Sequence, residues 1–475
     1  MTNVSGIVRI TLKGVKEVSV EHAITRIREI DLPGSEVSLR STIALDPDAE
    51  SRTRVVATDD GPLTGVPVVV KDNVEAVGLP ASAGSLALLG VPVVSDSTIV
   101  RRLRRAGAVV IAASNLSEWA NIRSTRSSSG WSAVGGLVAN PWMLDRSAGG
   151  SSSGSGAAVA AGIVPMAVGT ETDGSITCPA ALNGVVGIKP TVGVVPTDGV
   201  VPVSGSQDAP GSLARNVGDA TTMLAVLADD PNLLARSERI DVGMVRVGVT
   251  NSWRIGHAAT DDLFDAVLGD VESFFGAMSD SVVEPTPDEV IADEFTVLVH
   301  ELRTDLDAYL VRRCVTKGPR SMDEIVEFNR AHRSIELEHF GQEIFEMAVA
   351  GEGRAASVHR EARHRNIEWV RSRLLPEFER HDVLVAPAYA PAWKTDLVLG
   401  HPAAGGAVTT PAAIAGLPIV TIPMGLVAGL PVGLSLVGTA RSEDLLIAVA
   451  RTIEARLALV DDPEWRPRFL APGRG

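Results

Sequence analysis

Two short glycine- and serine-rich segments and one isolated lysine are the residues of this chain best suited to chemistry. The first segment is Gly149-Gly150-Ser151-Ser152-Ser153-Gly154-Ser155-Gly156, and the second is Gly169-Thr170-Glu171-Thr172-Asp173-Gly174-Ser175-Ile176. Well upstream stands Lys71-Asp72-Asn73, directly after the apolar run Pro67-Val68-Val69-Val70. Hydroxyls on tightly turning backbone, with a lysine held nearby as base, would let a serine attack an unreactive amide carbonyl without histidine. The run from Thr172 to Ser175 adds a second element. Its successive N–H groups beside Gly174 can converge on one oxygen, as stabilising a tetrahedral oxyanion requires.

Each signal also has an ordinary structural explanation. A Gly/Ser loop can be a plain turn, or a phosphate cradle at a helix N-terminus. The Walker A form of that cradle fails, because no lysine follows Gly154 or Gly156. A lysine at a strand end can be a solvated charge or half of a surface ion pair. Burial behind Val70 would instead lower its pKa toward the range of a base. Asp72 and Asn73 suit a turn or a cap.

The elements that would position these residues follow from hydrophobic periodicity. Residues 18–30 have helical spacing, and 46–62 are polar, a loop or helix end. Residues 66–70 read as a buried strand ending at Lys71, where α/β enzymes place chemistry. A helix is expected over 97–106, a strand over 108–112 and a Ser/Gly-rich loop over 124–136. Residues 157–161 read as a helix whose N-terminus faces the serine loop, and 165–169 as a short strand feeding the second motif. Strand and turn follow over 185–203. Charged amphipathic helices are expected from 219 onward, notably 322–350 and 355–375, before strand character returns at 382–388 and 417–437. The chain thus reads as one α/β domain over 1–475, its core at about 18–218 and 380–460 with a helical insertion at about 219–380.

Composition narrows the function classes. With 475 residues, 45% hydrophobic, the chain can bury a sizeable core. A formal net charge of −15 argues against a nucleic-acid surface and for small or neutral partners. Only six lysines are present, so Lys71 inside an apolar run stands out. Cys178 and Cys314 form neither metal-ligand spacing nor a disulfide framework, which fits a reducing compartment. The start lacks a secretory pattern, and the apolar stretch 407–438 is interrupted by Pro411, Pro418, Pro423 and Pro431. A soluble, cytoplasmic protein without membrane contact is expected. His332, His339, His359 and His364 lie in the charged helical region, so a solvated helix face is expected there and no metal site.

Taken together, these segments resemble the amidase signature family. The resemblance is carried by Gly65-Val66-Pro67 through Val70-Lys71-Asp72-Asn73, by Ala113-Ser114-Asn115-Leu116-Ser117-Glu118-Trp119, and by the serine loop. It continues through Gly169 to Ser175, Gly184-Val185-Val186-Gly187-Ile188-Lys189-Pro190-Thr191 and Gly429-Leu430-Pro431-Val432-Gly433-Leu434. It implies an α/β amidase signature fold, a large central mixed β-sheet flanked by helices. It further implies a Ser-cisSer-Lys triad with Ser175 as nucleophile, Ser151 as bridging serine after a cis peptide, and Lys71 as base. The amides of Thr172, Asp173, Gly174 and Ser175 would form the oxyanion hole. Neither metal nor cofactor is implied.

Departures from the family pattern point further. Glu171-Thr172-Asp173-Gly174-Ser175-Ile176-Thr177 replaces the usual Asp-Thr-Gly-Gly-Ser-Ile-Arg, and Ser153 stands where a glycine is usual. Asp173 brings a carboxylate beside the oxyanion position, for a local turn hydrogen bond or for a substrate contact. These variants resemble the bacterial peptide amidases, as do residues 127–136, Ser206-Gln207-Asp208 and 327–342. The implied activity is hydrolysis of a neutral amide, either a peptide C-terminal carboxamide or an aryl or alkyl amide, by a monomer or homodimer. The alternatives are an amide-forming acyltransferase, the catalytic component of a tRNA-dependent amidotransferase, and a non-enzymatic binding protein.

Overall fold

The structure, a computed structural model, describes residues 18–51, 61–400, 402, 405–459, 462 and 465–470. The first six residues and most of the polar stretch 46–62 lie outside the described residues.

Strand β2 (Pro67–Lys71) shows how the sheet is built. All five residues are buried, and their faces alternate: Val68 and Val70 join one hydrophobic cluster, Val69 the other. A run apolar on both faces belongs inside a parallel sheet. β2 accordingly lies between two parallel neighbours, β3 (Val109–Ser114) and β4 (Met166–Glu171). The period of two puts Lys71 on the side of Val69.

Among the described residues eleven strands form one mixed sheet. The others are β1 (Thr42–Leu45), β5 (Val186–Lys189), β6 (Ala209–Ala214), β7 (Arg246–Val249), β8 (Ala277–Asp280), β9 (Val383–Pro387), β10 (Ile419–Val427) and β11 (Leu430–Val437). Their spatial order is β1-β3-β2-β4-β6-β5-β10-β11-β9-β7-β8. Helices cover both faces. On one, Ile99, Val100 and Leu103 of the helix Thr98–Arg105 pack with Leu446, Ile447 and Val449 of the helix Glu443–Leu457. On the other lie helix α1 (Ser153–Ala160), through Ala157, Ala158 and Val159, and helix α2 (Thr177–Asn183), through Ala180.

Because β2, β3 and β4 are parallel, Lys71, Ser114 and Glu171 end on the same edge of the sheet. The N-termini of α1 and α2 reach that edge. α1 starts at Ser153, four residues before the expected helix, because its first turn satisfies its own hydroxyls. Ser153 Oγ donates to Gly149 O (2.5 Å), and Ser155 Oγ donates to Val168 O (2.9 Å). Small side chains let this turn sit against backbone: a Cβ on Gly154 would fall 2.2 Å from Ser41 O and 2.5 Å from Asn115 O.

Residues 219–380 are mainly helical, as expected, but also contribute strands. The helices Asp288–Arg313 and Ser357–Trp369 dominate, but β7 and β8 extend the central sheet, β7 pairing in parallel with both β8 and β9. The segment expected as one helix over 322–350 is broken into Met322–Ala331, Arg333–Glu336 and Glu343–Ala350. The breaks free Phe340 and His339 to pack edge-on against Trp131, at 5.0 and 5.2 Å between centroids. Nor is His359 solvated. It is 5% exposed, with Nε2 3.2 Å from Glu301 Oε1, while His332 stacks on Phe328. No helix among the described residues is long and apolar enough to cross a membrane.

The close approach at Gly154 gives a direct test. Gly154→Ala must push α1 off the backbone of Ser41 and Asn115, and a loss of about 2–3 kcal/mol or more is expected from overpacking at so rigid a contact. Thermal or urea unfolding beside an exposed control such as Gly269→Ala, whose added Cβ meets nothing within 4 Å, would measure it.

Candidate active site

Lys71 is fully buried, and its Nζ has three neighbours: Ser151 Oγ at 2.7 Å, Thr170 Oγ1 at 2.9 Å and Thr170 O at 3.1 Å. A neutral amine has two hydrogens and one lone pair, and this arrangement accommodates all three. The carbonyl of Thr170 can only accept. Its hydroxyl oxygen accepts from Lys71 and also from Asn73 Nδ2 at 3.0 Å. The remaining direction points at Ser151, whose hydroxyl can donate its proton to the lone pair. Burial pushes Lys71 down to about 7, against the opposing pull of the Asp208 and Glu171 carboxylates. A lysine so placed is available as a base near neutral pH.

The Gly150–Ser151 peptide is cis. Ser151 has no exposure, whereas Ser175 keeps 7%. The two serine turns are joined through their backbones: the Ser152 amide donates to Ser175 O at 3.0 Å. Lys71 and Ser151 are thus brought into direct contact. The Ser175 hydroxyl makes no hydrogen bond among the described residues.

Beyond Ser175 the chain enters α2, and Glu171 prepares that helix. Its Oε2 accepts from the amides of Ile176 (2.7 Å) and Thr177 (2.8 Å), a carboxylate at a helix N-terminus. The amides of Thr172, Asp173, Gly174 and Ser175 donate to no partner among the described residues and remain free for a bound oxygen. Gly174 has φ +79°, and a Cβ there would lie 2.7 Å from Tyr389 Oη, so only glycine fits this turn. Asp173 Oδ2 accepts from Thr410 Oγ1 at 2.7 Å, its Oδ1 is buried without a partner, and burial raises its pKa.

Of three patches far apart in sequence, the first closes against this turn. From the first, Asp208 accepts from Thr172 Oγ1 (2.6 Å) and from the amides of Val203 and Ser204, while Gln207 Nε2 donates to Glu294 (2.8 Å). The second and third, residues 127–136 and 327–342, meet in one wall. There Arg123 lies over Phe340 at 4.4 Å and pairs with Glu118 at 2.8 Å, both fully buried. Glu336 accepts from Leu86 N and Ser85 Oγ. Ser117 ties the wall to the centre, accepting from Gly130 N (2.8 Å) and donating its own amide to Ser151 O (3.1 Å).

The model of the amidase family matches residues 20–447. The chain belongs to the amidase signature family. It is an enzyme acting on amide bonds. Among solved structures, the peptide amidase PAM in complex with its competitive inhibitor chymostatin is 38% identical, with a TM-score of 0.86 over 93% of this chain and 95% of that one. The native peptide amidase from Stenotrophomonas maltophilia is 37% identical, with a TM-score of 0.85 over 92% and 93%. Among curated proteins, a glutamyl-tRNA(Gln) amidotransferase component from Symbiobacterium thermophilum is 33% identical over 93% of this chain and 95% of its own length.

The structure brings Lys71 and Ser151 together and sets the 172–175 turn in the same region of this amidase-family fold. The sequence alone gives no role to Thr170 or Asn73. Thr170 lies inside the motif without a distinguishing signal, and Asn73 reads there as a turn or cap. Asp208 is visible in the sequence only as part of a matching tripeptide, and its distance from Thr172 along the chain hides their contact.

As a base Lys71 would act in its neutral form, so its protonation is expected to set the acid side of the pH profile. Below about 7 the amine is charged and cannot accept a proton, so kcat/KM is expected to rise with pH through that value and then level off. Asp208→Asn removes a charge that favours the protonated lysine, so the limb should move to lower pH. A limb that stays in place would show that Lys71 does not set it.

Proposed function

We propose that the chain hydrolyses a carboxylic amide through an acyl-enzyme, with Ser175 as nucleophile, Ser151 as proton relay and Lys71 as base. The observation that carries this reading is the contact of a fully buried lysine, held near neutrality, with Ser151 Oγ at 2.7 Å. Ser151 passes its proton to Lys71 while taking one from Ser175, whose oxygen attacks the amide carbon. The oxyanion is held by the free amides of Thr172, Asp173, Gly174 and Ser175. The proton returns through Ser151 to the departing nitrogen, because an amide nitrogen leaves only as an amine. Water then attacks the ester by the reverse path.

For the substrate we propose a peptide-like amide, with the C-terminal carboxamide of a peptide favoured over a simple aryl or alkyl amide. Support comes from the likeness to the peptide amidases over nearly the whole chain. The amidotransferase reading draws on relatives such as the Symbiobacterium protein. Against it stands Thr177, whose hydroxyl faces Glu171 where the family pattern has arginine. Transfer of the same acyl-enzyme to an amine is the remaining alternative.

Ser175→Ala is expected to lower turnover by about four to six orders of magnitude, as loss of a nucleophile does in serine hydrolases. Activity retained in a clean preparation would sink the assignment. Ammonia release should be faster from peptide amides than from free amino-acid amides, and faster than aniline release from anilides. The reverse order would place the substrate among the simple amides.

A further inference from the structure

A cavity of about 400 Å³ lies away from the serines. Its position follows from the register of β4 and β6, which pair antiparallel with Glu171 opposite Ala209 and Met166 opposite Ala214. The serine turns lie at the first end and Arg215 at the second, one strand length or roughly 17 Å away. Its floor is formed by the C-terminal ends of the two helices that begin beside the catalytic serines: Ala160 to Gly162 after α1, and Asn183 to Val185 after α2.

The lining is unusual for a chain of net charge −15. Arg26, Arg215 and Arg466 all face the cavity, and among the described residues none has a carboxylate within ion-pair distance. Asp219 feels the charge of Arg215 but accepts a hydrogen bond from Asn216. Trp142 and Trp465 form an edge-to-face pair at 5.1 Å on one side, and Arg26 sits 5.8 Å from the ring of Phe469. The wall is anchored, with Phe469 N donating to Pro141 O and Leu144 N to Leu470 O.

We propose that this cavity is a second binding site, for an organic carboxylate with an aromatic or apolar body. Guanidinium groups take a carboxylate in a charge-assisted, two-pronged contact, which a neutral amide cannot reproduce. The indole and phenyl faces cover the body of the ligand. The volume suits a molecule the size of an acylated amino acid.

N-acetyl-phenylalanine, the carboxylate, and N-acetyl-phenylalaninamide, its neutral analogue, serve as probes in a tryptophan-fluorescence titration of the full chain. The protein is first labelled with a fluorophosphonate, so that the serine site is closed. Saturable quenching is expected for the carboxylate with a midpoint of about 1 mM or lower, and at least about tenfold weaker for the amide. The signal should weaken in Trp465→Phe, and binding by calorimetry should be lost in Arg215→Ala/Arg466→Ala, a change of two exposed side chains. Equal binding of both probes, unaltered binding by the double variant, or no saturation would overturn the proposal and leave the arginines as partners of the helix C-terminal carbonyls.

Discussion

Everything in the site depends on keeping one ammonium-forming group out of water. Lowering Lys71 from its ordinary value of 10.5 to about 7 corresponds to roughly 5 kcal/mol against the charged form. Such a penalty can be maintained only by a rigid, dry surround, and the structure supplies it from both sides. Val68 to Val70 are sealed between two parallel neighbours, and α1 and α2 cover the face to which Lys71 turns. The remaining polarity is strictly rationed. Thr170 offers two acceptors for two hydrogens, and Ser151 offers a hydroxyl for the lone pair. Asp208 and Glu171 act in the opposite direction, raising Lys71 enough that it is not stripped of all basicity.

The same constraint explains why the serine motif is so poor in side-chain volume. Ser151, Ser152, Ser153 and Ser155 are fully buried, and each hydroxyl with a described partner bonds to backbone or to a neighbouring side chain of the site. A larger residue at Gly154 would collide with Ser41 and Asn115. Close packing brings the α1 turn against the end of β2, so the glycines serve proximity more than flexibility. Beyond this centre the insertion contributes a wall whose contacts reach Ser151 through Ser117.

Much of this is legible in the chain itself. The run before Lys71 reads as a buried strand and is one, and the helix after the serine loop is located to within four residues. The order of the motifs already points to the family. Where reading fails, local signals are overridden by tertiary ones. β6, with the sequence Ala-Pro-Gly-Ser-Leu-Ala, carries little strand propensity and is held by pairing on both sides. β7 and β8 are short strands within helical surroundings, and only the edge of the growing sheet gives them a partner. The broken helix at 332–342 follows from Trp131, which lies two hundred residues earlier and demands aromatic contacts that a continuous helix would not provide.

By itself, the sequence determined which groups are available: one lysine at the end of an apolar run, two serine turns with glycines where a side chain would obstruct them, and a composition able to bury all three. Those are properties of residue type and spacing, and they survive any arrangement of the rest. Only the tertiary structure decided the protonation state and the partners. A lysine's basicity depends on how completely water is excluded and on which carboxylates lie within Coulombic reach. Here these are Asp208 and Glu171, and the hydroxyl facing the amine is that of Ser151. Distances in space, not positions in the chain, set those energies.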